Sequence, residues 1–266
     1  MAQQDEIVLT IDKHVATITL NRPKRGNSLT SKLNELLLSS LHKVAVDDTV
    51  RILVLTGAGK YFCTGMDLGG GSANVSPDVA VEKGMEVYDY LYKFPKPVIA
   101  RINGPALGGG VGLLFACNVR IATKNSYIAL TEVKRGLIPA MISQYIVPEV
   151  GQFKANEYML TGRRVSAQEC LQQNCLSAVV EEDQLDQAVQ RYVDLFEESA
   201  PGAMRDIKEL VRIVGGKGES DIKSSQDHIK KAFVKMMNSP EAAYGIMSFT
   251  QKKKPDWSEF IKSSKL

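Results

Sequence analysis

The sequence has no long apolar run and no strong excess of charge. None of its apolar stretches reaches the roughly 18 residues of a membrane-spanning helix, so we expect no membrane span. The first ten residues, MAQQDEIVLT, lack a basic region followed by an apolar one, so we expect no signal peptide. The net charge is only +3, from 33 Lys and Arg against 30 Asp and Glu. That balance gives no reason to expect nucleic-acid binding, although clustered positive charges could still hold a small anionic ligand.

Metal-ligating residues are few and scattered. No two cysteines form a C-x-x-C pair, and the histidines lie far apart along the chain. This pattern disfavours structural zinc, and we predict no bound metal. The cysteines are interpreted as free thiols in a reducing compartment or as small buried apolar side chains. These residues are Cys63, Cys117, Cys170 and Cys175, with His14, His42 and His228.

Three common nucleotide and nucleophile motifs are also missing. In TGAGK, Lys60 precedes Tyr61 rather than Ser or Thr, and Val54 stands where a phosphate loop needs its first glycine. A G-x-G-x-x-G reading of the glycine run ends on Leu113 instead of glycine. No G-x-S-x-G stretch occurs, which disfavours a serine hydrolase of that type.

What the sequence does contain is an alternation of apolar strands and amphipathic helices. A hairpin is predicted over 6–12 and 15–21, and a helix from Thr30, with Thr30 or Ser31 as its N-cap. VRILVLTG (50–57) is typical of a strand buried on both faces. Further strands are predicted over 96–104 and 119–123, helices near 79–94 and 143–160, and a helix then a strand over 165–180.

This alternation predicts an α/β fold with parallel strands. The 266 residues suit one large domain, or one domain with an appendage. We place the core at residues 1–195 and a helical, lysine-rich region at 196–266, with a boundary near SAPGAM.

Two strand exits are rich in glycine: YFCTGMDL and NGPALGGGVG. A glycine costs about 1 kcal/mol inside a helix, so Gly108, Gly109 and Gly110 require a reason. Either the backbone approaches another backbone closely, or it approaches a ligand. Two backbone amides aimed at one point would form an oxyanion hole, with the positive end of the following helix adding to it. Taken alone, the pattern leaves both explanations open.

The combination of motifs is more specific than any one of them. NRPKRGNSL, GKYFCTGMDL, KPVIARINGPALGGGVGL and TEVKRGLIP follow one another in this order. Together they resemble the crotonase superfamily of enoyl-CoA hydratases and isomerases, from about residue 5 to residue 260. The resemblance implies a crotonase-like spiral of β-β-α repeats and a helical C-terminal region that builds a homotrimer or a dimer of trimers. It also implies an acyl-CoA thioester substrate and no separate cofactor, since coenzyme A enters with the substrate.

The resemblance also implies roles for particular residues. The amides of Met66 and Gly109 are predicted to hold the enolate oxygen of the thioester. The C-terminal region is predicted to act as a lid over the CoA. The other predicted substrate-binding residues surround these amides or supply positive charge for the CoA: Gly65, Asp67, Gly108, Gly110, Lys24, Arg25, Lys252 and Lys253, with Lys254 beside them.

The same comparison leaves one matched catalytic carboxylate. TEVKRGLIP supplies Glu132, whereas Gly112 stands where hydratases of the family carry another glutamate. One base suffices to move a double bond, because it can take a proton from C2 of a 3-enoyl thioester and return it at C4. Adding water also needs a group that positions and activates the water. The sequence therefore favours a Δ3,Δ2-enoyl-CoA isomerase with Glu132 as its base.

Two alternatives stay open. The chain also resembles a branch classed as hydratases, including methylglutaconyl-type enzymes and biosynthetic members, in which another residue would supply the second function. Glu82, Glu86 and Asp89 are the candidates for that residue. A catalytically weak CoA-thioester-binding protein is the alternative from another class, and retention of Glu132 with both glycine motifs argues against it.

The last three residues are Ser264, Lys265 and Leu266. A C-terminal S-K-L is a peroxisomal address that an import receptor reads. We therefore predict a peroxisomal location and the import receptor as a partner, with a random polar tail as the alternative.

Overall fold

The strands alternate with helices through most of the chain. The computed structural model describes residues 5–68, 77–215, 219–256 and 260. The strands are β1 (Ile7–Asp12), β2 (Val15–Leu20), β3 (Ile52–Gly57), β4 (Val98–Ile102), β5 (Ala106–Leu107), β6 (Val119–Thr123), β7 (Tyr127–Ala129), β8 (Val165–Ser166) and β9 (Ala178–Val180). The helices are α1 (Ser31–Val46), α2 (Pro77–Tyr92), α3 (Gly109–Phe115), α4 (Ala140–Thr161), α5 (Ala167–Gln172), α6 (Leu185–Glu197), α7 (Pro201–Val214), α8 (Glu219–Met237) and α9 (Pro240–Thr250). Short 3₁₀ turns cover Pro23–Arg25, Thr131–Arg135 and Glu182–Gln184.

The main sheet has six strands in the order β1-β2-β3-β4-β6-β9. The hairpin β1–β2 is antiparallel, and every other neighbouring pair in this sheet is parallel. Parallel neighbours need crossover connections, which the helices supply. The predicted α/β fold is therefore confirmed. A second, three-stranded sheet in the order β5-β7-β8 was not predicted.

The position of β3 in the sheet explains why its sequence is continuously apolar. Leu53 and Leu55 are fully buried in the main core, which also contains the apolar stripe of α1. Ile52 and Val54 point to the other face, where Leu185 begins the buried stripe of α6. The strand therefore has a helix layer on both faces, as its sequence predicts.

α1 begins at the predicted position. The side-chain oxygen of Thr30 accepts a hydrogen bond from the amide of Leu33 at 3.1 Å, so Thr30 rather than Ser31 is the N-cap. α4 begins at Ala140, before the predicted 143, and its helical backbone is interrupted at Gly151. Sequence patterns define the ends of a helix less sharply than its middle.

The C-terminal region is helical, as predicted, but α6 runs to Glu197, so the helix break lies slightly beyond residue 195. α8 packs against α2 and α4, and α9 packs against the 3₁₀ turn Thr131–Arg135. Phe233 and Met236 of α8 form one apolar cluster with Val81 of α2 and Leu137. In the described ranges, no helix combines the length and the apolar character required to cross a bilayer.

All four cysteines are buried and free, which confirms their interpretation as small buried side chains. The predicted targeting residues Ser264, Lys265 and Leu266 lie outside the described residues.

Candidate active site

A cavity of about 400 Å³ opens between the two glycine-rich strand exits, the 3₁₀ turn that contains Glu132, and the C-terminal helices. Its volume lies in the usual range for small-molecule sites. The polar and glycine part of its lining brings together residues from five separate stretches of the chain. They are Arg25, Ser28, Thr64, Met66, Asp67, Tyr88, Gly108, Gly109, Thr131, Glu132 and Arg135, and the rest is apolar and includes Leu68, Leu107, Leu137, Ile138, Met141, Ile142, Phe233, Met236, Met237 and Phe249.

Two residues whose backbone amides are unused line this cavity. Gly109 is the first residue of α3, and Met66 follows the turn at Gly65. Within the described part of the chain, neither amide N–H has a hydrogen-bond acceptor. The two segments touch, because a Cβ on Gly65 would lie 2.8 Å from the amide nitrogen of Gly109. Two such donors beside each other can stabilise negative charge on one carbonyl oxygen.

The sequence leaves two explanations for the glycine run: close approach to a ligand and close approach to another backbone. Both apply, each to a different glycine. A Cβ on Gly108 would lie 3.0 Å from Oε1 of Glu132, so this glycine leaves room beside a cavity carboxylate. A Cβ on Gly110 would overlap the carbonyl oxygen of Cys63. Gly110 is buried and does not line the cavity, although it was predicted to bind substrate. Close packing of two backbones accounts for that glycine.

Tyr88 is a site residue that sequence reasoning missed. It is a buried residue of α2, and its hydroxyl donates a hydrogen bond of 3.1 Å to the carbonyl oxygen of Gly109. A Cβ on Gly109 would lie 2.6 Å from the same hydroxyl. Tyr88 therefore holds the residue whose amide faces the cavity. Its position in an apolar helical stripe gave no signal for this role.

Of the two carboxylates in the described lining, Glu132 is the one that receives no hydrogen bond from another described residue. It lies in the 3₁₀ turn Thr131–Arg135, and within the described residues its buried Oε2 has no hydrogen-bond partner. Burial raises the pKa of Glu132 to about 7, although its own backbone amide and the charge of Arg135 act in the opposite direction. A carboxylate with this pKa can accept and return a proton near neutral pH.

The C-terminal region forms one wall of the site. The guanidinium of Arg135 lies 4.5 Å from the ring centre of Phe249 in α9, a cation–π distance. Arg135 also donates a hydrogen bond of 2.9 Å to Oγ1 of Thr131. A Cβ on Gly245 of α9 would overlap the carbonyl oxygen of Arg135, so the helix packs directly on the turn that carries Glu132. These contacts join distant stretches of sequence, so local patterns could not reveal them.

A buried asparagine fixes the loop before the amide of Met66. The side chain of Asn27 donates to the carbonyl oxygens of Ala58 and Tyr61 at 2.9 and 2.8 Å. Asp67 was predicted to bind substrate and does line the cavity. Its carboxylate accepts hydrogen bonds from Arg22 at 3.3 Å and Ser28 at 3.0 Å. These bonds give Asp67 a loop-positioning role that the sequence did not suggest.

Of the predicted basic contacts, Arg25 alone lines the described cavity. Arg25 follows Lys24 in the 3₁₀ turn Pro23–Arg25, and both side chains are exposed. Lys252 and Lys253 are exposed just beyond α9, the helix whose Phe249 lines the cavity. The structure therefore brings the lysine segment near the site without placing it in the cavity wall.

The alternative carboxylates on α2 do not reach this cavity. Glu82 is exposed and pairs with Lys230. Asp89 accepts a hydrogen bond of 2.7 Å from the Tyr145 hydroxyl, and Glu86 is an exposed residue on a neighbouring cavity. The geometry leaves Glu132 as the carboxylate best placed for proton transfer.

Gly112, which stands where hydratases of the family carry another glutamate, has no room for a side chain. A Cβ on Gly112 would overlap Cγ2 of Ile142 and lie 2.9 Å from its Cβ. The ring of Tyr88 is also 3.0 Å from that point. A glutamate at 112 would meet packed side chains before its carboxylate could reach the cavity.

Even the smallest side chain at this position should therefore be costly. We expect Gly112→Ala to lower the free energy of unfolding by about 1–3 kcal/mol, the usual cost of overpacking. Gly202→Ala is the matched control, because Gly202 also lies in a helix, α7, and a Cβ there would have no heavy atom of another described element within 4 Å. Urea unfolding of both variants tests the prediction, and equal stability of the two would contradict it.

Known proteins resemble this chain over most of its length. The family model described as enoyl-CoA hydratase/isomerase matches residues 10–260. The chain is 37% identical to enoyl-CoA hydratase AKT6-1 of Alternaria alternata over 89% of this chain and 78% of that protein. It is 31% identical to a carnitinyl-CoA dehydratase of Proteus mirabilis over 94% of this chain and 97% of that protein. A solved enoyl-CoA hydratase from Mycobacterium avium superposes with a TM-score of 0.83 at 27% identity, over 96% of this chain and 100% of that one.

Proposed function

The chain belongs to the enoyl-CoA hydratase/isomerase family, and from that premise we propose that it moves the double bond of an enoyl-CoA from C3–C4 to C2–C3. Coenzyme A enters as part of the substrate, and no separate cofactor takes part. The proposal is supported by the Glu132 carboxyl, whose buried Oε2 has no hydrogen-bond partner among the described residues, beside two amides that have no acceptor there.

The proposed reaction uses one base twice. Glu132 takes a proton from C2 of the 3-enoyl thioester, and the electron pair moves into the thioester carbonyl. The amides of Met66 and Gly109 stabilise the resulting dienolate oxygen. The electrons then return from the oxygen, the double bond forms between C2 and C3, and Glu132 delivers the proton to C4. No water or second acid is consumed.

Hydration of a 2-enoyl-CoA is the second candidate. It is favoured by the names of the relatives, since the Alternaria protein is called an enoyl-CoA hydratase and the Proteus protein a dehydratase. In that reaction a water would have to be held by the same Glu132 or by another group. Asp67 is the other carboxylate in the described lining, but Arg22 and Ser28 bind it.

Separate incubations with a 3-enoyl-CoA and a 2-enoyl-CoA distinguish these functions. The proposal predicts conversion of the first substrate to the 2-enoyl isomer. Hydration of the second without conversion of the first would favour the hydratase. Binding of both without turnover would identify a CoA-thioester-binding protein and overturn both enzymatic candidates.

The raised pKa of Glu132 predicts a pH dependence. The base must be ionised to take a proton, and burial raises its pKa from 4.5 to about 7. The kcat/KM for the isomerisation is therefore expected to fall about tenfold for each pH unit below 7, and to level off above it. A steady-state pH profile measures this, and a rate that stays flat down to pH 5 would contradict it.

We propose that the protein assembles as a homotrimer or a dimer of trimers. α7 exposes an apolar face at positions three, four and seven apart, formed by Ile207, Leu210, Val211 and Val214. Light scattering at micromolar concentration should give a multiple of three chains. A stable monomer would contradict the proposal.

We also propose that the protein is peroxisomal and that an import receptor reads its S-K-L end. Deleting Leu266 should leave a fluorescently tagged protein folded but outside peroxisomes. The cells must lack the wild-type chain, because oligomers can be imported together. Unchanged peroxisomal location in such cells would contradict the proposal.

A further inference from the structure

A second cavity of about 180 Å³ adjoins the main one. It lies between α1, α2 and α8, and the two cavities share one set of wall side chains. The shared residues are Met66, Tyr88, Met141, Phe233 and Met237. Since Met66 also supplies one of the two cavity amides, the second cavity begins close to the reaction centre.

The methionine side chains in the shared wall can move aside for a ligand. Methionine side chains are unbranched and flexible, so they can change conformation more easily than branched side chains. Met66 is 40% exposed, which leaves its side chain room to move. A flexible chain attached to a group held in the main cavity can therefore enter the second one.

The rim and the interior of the second cavity differ in chemistry. At the rim, Lys83 and Glu35 form an ion pair of 3.2 Å, and both side chains are more than half exposed. The interior includes Leu29, Leu38 and Val87, which suit an aliphatic chain.

Asn34 of α1 is one of the polar residues in this lining, with Ser31 and Glu86. Its Oδ1 is buried without a hydrogen-bond partner, and the carboxamide forms no hydrogen bond with any residue in the described ranges. Buried amides are normally paired, because leaving them unpaired costs folding free energy. The position of the unpaired amide on a cavity points to a partner supplied by a ligand.

We propose that the second cavity takes the end of the substrate's acyl chain and that Asn34 selects chains that carry a hydroxyl group. The inference rests on the proposed function, since the thioester must occupy the main cavity for its chain to reach Asn34. A hydroxyl both donates and accepts, so it suits either end of the carboxamide. A carboxylate fits less well, because the one lysine in the described lining, Lys83, is paired with Glu35 at the rim.

Calorimetric titration with saturated acyl-CoAs tests the inference without requiring turnover. Hexanoyl-, octanoyl- and decanoyl-CoA are each compared with the analogue that bears a terminal hydroxyl. For at least one chain length, Asn34→Leu should weaken binding of the hydroxylated ligand roughly fivefold relative to its parent, the effect of losing one neutral hydrogen bond. The parent acyl-CoA should bind the variant as tightly as wild type or more tightly.

The controls separate the possible failures. Asn156→Leu makes the same chemical change at an exposed position of α4 and should leave the preference unchanged. Asn34→Ala serves as a second variant if the leucine does not fold. An equal preference in wild type and both Asn34 variants at every chain length would overturn the inference. If the wild-type protein catalyses neither isomerisation nor hydration but still prefers the hydroxylated ligand, the proposed function is overturned and the inference about Asn34 is not.

Discussion

Glu132→Gln is expected to lower kcat by at least about 10³-fold, near the upper end for a general acid–base group, because it removes the sole base. Affinity for a CoA thioester should stay within a few-fold of wild type, since the cavity lining and the amides of Met66 and Gly109 are unchanged. Steady-state kinetics with a 3-enoyl-CoA and titration with a saturated acyl-CoA measure the two quantities.

Two controls support this test. Glu82→Gln changes an exposed carboxylate that lies outside the cavity and should leave kcat within about twofold. A Glu132→Gln protein that keeps more than about a tenth of the wild-type rate would show that the base lies elsewhere. Glu86 and Asp89 would then have to be tested in turn.

The same substitution should stabilise the fold at high pH. The folded-state pKa of Glu132 lies above the ordinary value of 4.5, at about 7. Ionising this carboxyl therefore costs folding free energy, and the cost grows as the pH rises from 4.5 and is complete above about 7. Glu132→Gln should be more stable than wild type above that pH and equally stable below 4.5. Thermal unfolding across this range also establishes that the inactive variant is folded.

Gly65→Ala is expected to lower kcat by about 10²-fold or more, the usual effect of losing one oxyanion-hole donor. The new Cβ would lie 2.7 Å from the carbonyl oxygen of Leu107 and 2.8 Å from the amide nitrogen of Gly109. Both are backbone atoms, so the two segments must separate and the amides of Met66 and Gly109 can no longer meet at one point. Steady-state kinetics with a 3-enoyl-CoA measure the loss of kcat.

Gly151→Ala provides the matched control for this change. Gly65 has a φ of +81° and Gly151 a φ of +74°, so alanine is strained at both positions. A Cβ on Gly151 has nothing within 4 Å, whereas one on Gly65 meets the second amide segment. Comparable rates for the two variants would show that backbone strain, not displacement of the amides, controls the loss.

The sequence predicts the elements that have a strong local signal. The apolar run of β3, the alternating hairpin and the Thr30 cap depend on neighbouring residues, and the structure contains all three. β5 and β8 have only two residues each, too few for a period-two pattern to be distinguished from a loop. The second sheet therefore has no local signal.

The site shows the same division. Glycine motifs pointed to the two amide segments because glycine carries a backbone requirement that is visible locally. The hydrogen bond from Tyr88 to Gly109 and the contact between Arg135 and Phe249 depend on the packing of distant helices. Gly112 shows the limit of motif reasoning, because the motif identifies the missing glutamate but not the Ile142 side chain that occupies its space.

In the proposed reaction, Glu132 removes a proton from C2 of a 3-enoyl-CoA while two amides hold the enolate. The most direct measurement uses a 3-enoyl-CoA that carries two deuterium atoms at C2, followed by nuclear magnetic resonance. With wild type, one of the two should leave C2, for C4 or for the solvent, as the double bond moves to C2–C3; with Glu132→Gln, both deuterium atoms and the double bond should stay in place. Label release by Glu132→Gln at the wild-type rate, or wild-type protein that leaves C2 untouched, would contradict the account.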